Sequence, residues 1–105
     1  MQLIDTHAHI HFDEFNSDRE EVIARAREAG VVRIVNVATS LADIQTIPSF
    51  VAERSGIYGT VGIHPHDAGT VRDEDIEVVR RLAGEKKIVG VGETGLDFYR
   101  NLSPH

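Results

Sequence analysis

The apolar positions of this chain change period repeatedly, and the changes divide it into alternating strands and helices. Leu3 and Ile4 open an extended run, Ile4-Asp5-Thr6-His7-Ala8-His9, that reads as a first strand. His11 to Asn16 reads as a loop. Ser17 then predicts a helix start, because Glu20 three residues on completes a capping box and Asp18 adds negative charge to the first turn. Val22, Ile23 and Ala26 recur at helical spacing, and Gly30 stands where a left-handed cap would end the helix. Val31 to Ala38 is β-branched and almost continuously apolar, which predicts a strand buried on both faces. Ser40 with Asp43 predicts a second helix reaching about Ser55, broken or kinked just before Pro48 or beginning there, with Gly56 closing the segment. Ile57 to Ile63 reads as a third strand and Asp67 to Val71 as loop. A third helix is expected from about Asp73, with Ile76, Val79, Leu82 and Ala83 on its apolar face and Gly84 as the stop. Ile88 to Gly92 reads as a fourth strand that delivers Glu93, and Thr94 to His105 as the opening of a further loop. One helix per strand predicts the α/β class, with parallel strands joined by right-handed helical crossovers.

Composition narrows the class without naming an activity. At 105 residues the chain suits one small domain. Its 41% hydrophobic and 27% charged residues are those of an ordinary globular protein. No apolar run approaches the ~20 residues that a membrane helix requires, and no basic segment followed by an apolar one marks a secretory signal. Cysteine is absent, which removes disulfides and thiolate ligands and agrees with a cytoplasmic location. Any bound metal must be held by His, Asp or Glu. The net charge of −6 and the lack of a basic stripe lean away from a DNA-binding module. Bound divalent cations would locally reverse that field, so a nucleic-acid substrate stays open.

The candidate chemistry lies at strand ends. In an extended run His7 and His9 project from one face, and two imidazoles so placed can close on one cation, though two solvated histidines in a turn would look the same. His64 and Glu93 also fall at the C-terminal ends of strands, the edge where α/β folds bind ligands. Two imidazoles and a carboxylate suit Zn²⁺, Mn²⁺ or Fe²⁺, or Mg²⁺ with further oxygens, and Glu93 could bridge two ions. The glycines around Glu93 (Gly90, Gly92 and Gly95) suggest close approach to the backbone there. In Ile63-His64-Pro65-His66 the proline stiffens the turn, so either ring can contact a phosphate or support a ligand. His66 reads equally well as a packed loop residue. Asp97 and Arg100 are candidates to orient a ligand and to meet an anionic substrate, and on sequence grounds read more readily as ordinary loop residues.

Three segments, Asp5-Thr6-His7-Ala8-His9, Val61-Gly62-Ile63-His64-Pro65-His66 and Gly92-Glu93-Thr94-Gly95-Leu96-Asp97-Phe98-Tyr99-Arg100, resemble in wording and order the N-terminal part of the TatD family of metal-dependent hydrolases. The resemblance implies a TIM barrel related to the amidohydrolase-like hydrolases, and a magnesium-dependent deoxyribonuclease activity. It implies that His7 and His9 ligate a first metal, that Glu93 ligates or bridges and so takes part in catalysis, and that His64 stands near the scissile phosphate. His11 departs from the family, where an acidic or other residue is common, and inherits no role.

A (β/α)₈ barrel takes ~250 residues, whereas residues 1–105 form a partial domain with the first four strands. The two further histidines and late aspartate implied by the resemblance are not in this sequence. The chain therefore reads as a piece of a longer enzyme, or as a half-barrel that pairs with another chain through open edges and water-exposed inner apolar positions. The expected activity is metal-dependent hydrolysis of phosphodiester bonds in DNA, at strand ends, with one or two of Mg²⁺, Mn²⁺ or Zn²⁺. Its rivals are an amidohydrolase-like hydrolysis of a small amide, lactone or aminoacyl ester, and a catalytically inert half-barrel.

Overall fold

A computed structural model describes residues 1–95. The elements follow the expected alternation: β1 (Leu3–Ala8), α1 (Arg19–Glu28), β2 (Val31–Val37), α2 (Leu41–Ala52), β3 (Ile57–Val61), α3 (Asp73–Ala83) and β4 (Ile88–Val91). The four strands form one sheet in the order β1-β2-β3-β4, and every neighbouring pair is parallel. Short helical crossovers between adjacent parallel strands produce this order directly.

One face of the sheet carries the core. Ile34, Ala38, Ile57 and Val61 pack against Ile23 of α1, Ile44, Ile47 and Val51 of α2, and Leu82 of α3. Along β3 burial alternates strictly, with Ile57, Gly59 and Val61 buried and Tyr58 and Thr60 half-buried, the period-two signature of a strand covered from one side. The other face is open among the described residues. Leu3, which shares its side with His7, is 45% exposed, and Val89 and Val91, in phase with Glu93, are 59% and 60% exposed.

The sheet must also curl. Three strand spacings separate β1 from β4, roughly 14 Å in a flat sheet, yet side chains from their two tips approach to 3.2 Å. Closure of this kind makes the open face concave, as in the first half of a barrel.

Several expectations need correction. The first helix starts at Arg19 rather than Ser17, because a 3₁₀ turn over Asp13–Phe15 and the bond from the Asp18 N–H to the Phe15 carbonyl place Ser17 inside a tight turn. Its N-cap residue is Asp18, with no side-chain capping bond. Gly30 does adopt the left-handed region at φ 102°. The second helix runs unbroken through Pro48, held against the sheet by the fully buried Ile44, Ile47 and Val51 on either side of the missing donor. The expected loop after His64 is a 3₁₀ helix, Pro65–Thr70, whose first residue is the φ-restricted proline. On α3 the buried positions are Asp75 and Leu82, and Ile76 is exposed. The second strand is buried on both faces only toward its C-terminal end, where the adjacent Asn36 and Val37 are both buried, while Val32 and Arg33 near its start are exposed.

Candidate metal centre

Each side chain of the site is aimed by local structure. His7 lies in β1, and its backbone N–H donates to Asp5 Oδ1 at 3.0 Å. His9 follows the strand end, with its Nδ1 2.7 Å from the Val37 carbonyl of β2. A carbonyl only accepts, so that contact assigns the proton to Nδ1 and leaves the Nε2 lone pair for a cation. The ring also stacks on Phe12, with centroids 4.7 Å apart and planes 12° apart. The loop that follows is wrapped by Arg19, whose guanidinium donates to the carbonyls of Ile10 (2.6 Å), His11 (3.2 Å) and Phe12 (2.9 Å). The fully buried Asn36 accepts the Ile10 N–H at 3.0 Å.

Glu93 reaches the same place from β4. Its Oε2 is 3.2 Å from His7 Nε2, and its Oε1 is 3.2 Å from His64 Nε2. His7, His9 and Glu93 each offer a ligand atom, and these atoms lie within 4.8 Å of one another. A nitrogen, nitrogen and carboxylate-oxygen set suits a divalent transition metal, or Mg²⁺ once waters or further oxygens complete the shell. The donor chemistry therefore fits the cation that the sequence implied. The surrounding cavity, about 430 Å³, is lined in part by His9, Phe12, Thr39, His64, His66 and Glu93.

His64 is held differently from His7 and His9. Its Nδ1 accepts the His66 N–H at 3.1 Å and caps the following 3₁₀ helix. With Nδ1 occupied as an acceptor, the neutral ring carries its proton on Nε2, which faces Glu93 as a donor.

Close approach of backbone does occur here, but at a different glycine from those flanking Glu93. A Cβ on Gly62 would sit 2.6 Å from the carbonyl carbon and oxygen of Gly92. One on Gly90 would meet only Thr60 Cγ2, at an ordinary 3.6 Å, and one on Gly92 nothing within 4 Å. The tips of β3 and β4 are drawn together by the Gly92 N–H to Val61 carbonyl bond (2.9 Å) and by Thr60 Oγ1 donating to the Gly92 carbonyl (3.0 Å). Gly95 adopts φ 137° beside Pro65, a conformation that favours glycine.

Of the residues singled out from sequence, His7, His9, His64 and Glu93 converge, while Asp97 and Arg100 lie outside the described residues. His11 turns away from the cluster. Its side chain is 3% exposed, and Nε2 lies 3.4 Å from Asp43 Oδ2. Neither ring nitrogen has a hydrogen-bond partner among the described residues. Burial pushes its pKa below the usual value, and the neighbouring Asp43 carboxylate opposes that shift. Arg19, Asn36 and the contact network of Asp43 had no legible role in the sequence beyond the Ser40–Asp43 cap. Only the capping pattern pointed to Asp43 at all.

Comparison with known proteins places these features in a family. The pattern of the TatD related DNase family matches residues 4–105. The "3'-5' ssDNA/RNA exonuclease TatD" of Cronobacter sakazakii is 44% identical over 101 residues, covering 96% of this chain and 38% of that protein. The "Uncharacterized metal-dependent hydrolase YabD" of Bacillus subtilis is 38% identical over 102 residues, covering 97% and 40%. The crystal structure of YJJV, a TatD homologue from Escherichia coli, superposes with a TM-score of 0.85 at 31% identity, over 94% of this chain and 39% of that one. The chain thus spans about two-fifths of the length of the relatives it matches.

Proposed function

Because this chain belongs to the TatD-related DNase family, we propose that the whole protein is a metal-dependent phosphodiesterase that removes nucleotides from the ends of single-stranded nucleic acid, DNA above all. The observation that carries the reading is the meeting of His7, His9 and Glu93 from opposite edges of the sheet. Relatives named as 3'-5' ssDNA/RNA exonucleases support the substrate class. In this reading residues 1–105 are part of one TIM-barrel domain. A cytoplasmic setting is part of this reading and agrees with the absence of cysteine; among the described residues no helix is long and apolar enough to cross a membrane.

The site residues have separate tasks. His7 Nε2, His9 Nε2 and the Glu93 carboxylate would hold one or two divalent ions, Mg²⁺, Mn²⁺ or Zn²⁺. When bound, such a cation supplies Lewis acidity, polarising a phosphoryl oxygen and lowering the pKa of coordinated water. Val37 fixes the His9 tautomer by accepting its Nδ1 proton. His64 presents its Nε2 proton beside Glu93, where it can orient that carboxylate or donate to a phosphate oxygen. Arg100, outside the described residues, is assigned to the anionic substrate on its cationic side chain and its place in the sequence alone. The net charge of −6 over residues 1–105 opposes the approach of an anionic strand, and bound cations would offset it locally.

The test is release of nucleotides from a 5′-labelled single-stranded oligonucleotide by the whole protein with Mg²⁺ or Mn²⁺. Activity is expected in the wild type and lost in the His7→Ala/His9→Ala variant. Equal activity in both rejects the assignment, and cleavage of small amides in place of p-nitrophenyl phosphodiesters would transfer it to amidohydrolase-like chemistry.

A further inference from the structure

A chain of contacts runs from the start of α2 to Glu93 and begins at a residue outside the metal centre. Asp43 Oδ2 accepts from both the backbone N–H (3.2 Å) and the hydroxyl (3.0 Å) of Thr39, at the tip of β2. The Thr39 carbonyl accepts the His64 N–H at 2.7 Å, tying the tip of β2 to the residue just past β3. His64 in turn reaches Glu93 Oε1 through Nε2. We propose that Asp43 is a positioning residue, which clamps Thr39 and thereby aims the His64 Nε2 proton at Glu93.

Three features argue that the clamp does more than cap a helix. A capping box needs only a bond back to the N-cap N–H, and the cap of α2 is already made by Ser40 Oγ accepting the Asp43 N–H at 3.2 Å. The Asp43 carboxylate reaches past the cap to Thr39, the residue whose carbonyl holds His64. Its oxygen also meets the buried His11 ring, which limits its freedom to swing away. Finally, Thr39 lines the same cavity as His64 and Glu93, so displacement of this strand tip is felt inside the site.

The activity arm of the test rests on the proposed phosphodiesterase function, so a second arm is independent of it. Imidazole ¹⁵N shifts of His64, read at one fixed pH in the metal-free whole protein, should show the Nε2–H tautomer in the wild type. Asp43→Ala should move both signals toward tautomeric averaging, while Asp43→Asn, which keeps an acceptor oxygen for Thr39, should restore them. Ser40→Ala removes the cap alone and should leave them in place. In the activity arm, Asp43→Ala should lower kcat about tenfold or more, the scale seen when a partner that orients a ligand is removed, with KM nearly unchanged. Combined with His64→Ala it should add no further loss. Unmoved His64 shifts in a folded Asp43→Ala variant, or losses that multiply in the double variant, overturn the proposal. Expected shifts in a protein without nuclease activity would leave the positioning role standing and remove the phosphodiesterase reading.

Discussion

Replacing Gly62 by alanine tests whether the approach of two strand tips builds the proposed metal centre. The added methyl would lie 2.6 Å from the carbonyl carbon and oxygen of Gly92. These are backbone atoms pinned by bonds to Val61 and Thr60, so no flexible side chain can give way. Ordinary contact begins near 3.4 Å, and β4 must therefore recede by about 0.8 Å. Glu93 is the next residue, and the same shift carries its 3.2 Å contacts with His7 and His64 to about 4 Å, out of hydrogen-bond reach. Overpacking of this kind costs about 1–3 kcal/mol. If it is expressed at the ligands, Mn²⁺ affinity falls roughly 5- to 150-fold. Calorimetric titration of Mn²⁺ into the whole protein reads this directly, with circular dichroism confirming the fold. Gly90→Ala is the matched control, since its methyl meets only Thr60 Cγ2 at 3.6 Å. A Gly62→Ala protein that binds Mn²⁺ as tightly as the control, with an unchanged Tm, would refute the reasoning.

Further outcomes follow from other contacts. Mn²⁺ at about a hundredfold over its Kd should stabilise the whole protein by about 2.7 kcal/mol, and a thermal melt of the His7→Ala/His9→Ala variant should show no such gain. Burial depresses the pKa of His11 in the fold, with Asp43, His9 and Asn36 facing it. Between the folded value and 6.5 the unfolded chain binds the extra proton, so this group's contribution makes stability fall as pH drops below 6.5, and adds no slope above it. Melts at successive pH values should therefore show a shallower acid-side decline in His11→Gln than in the wild type, and identical slopes would dismiss this account. Lys87 Nζ donates to the carbonyls of Val51 (2.6 Å) and Arg54 (2.5 Å) at the end of α2, at the opposite end of the sheet from His9 and Glu93. Lys87→Ala should cost about 1–3 kcal/mol in urea unfolding and leave kcat alone.

How much was legible depends on whether the signal is local. The alternation of β-branched runs with capped amphipathic segments is a property of neighbouring residues, so the four strands, three helices and parallel class could be read directly. The same holds for the Ser40 cap and the left-handed Gly30, and for the placing of His7, His9, His64 and Glu93 at strand ends. Local signals also misled where packing competed with them. Ser17 carries a capping pattern but lies in the turn that follows a 3₁₀ helix, and Pro48 lacks a helical donor yet sits in a helix whose flanking isoleucines and valine are locked into the core.

What tertiary structure alone decided is distance across the sheet. Nothing in the residues between His7 and Glu93 states that strands three spacings apart curl until an imidazole and a carboxylate stand 3.2 Å apart. Curvature is summed over the twist of every strand pair and the packing of every helix behind it. The same holds for the crowding of Gly62 against Gly92 and for the reach of Asp43 to Thr39, each set by where separate elements come to rest. The order of elements is written in short-range periodicity. The site depends on contacts between residues far apart in the chain, and these exist only once the backbone is folded.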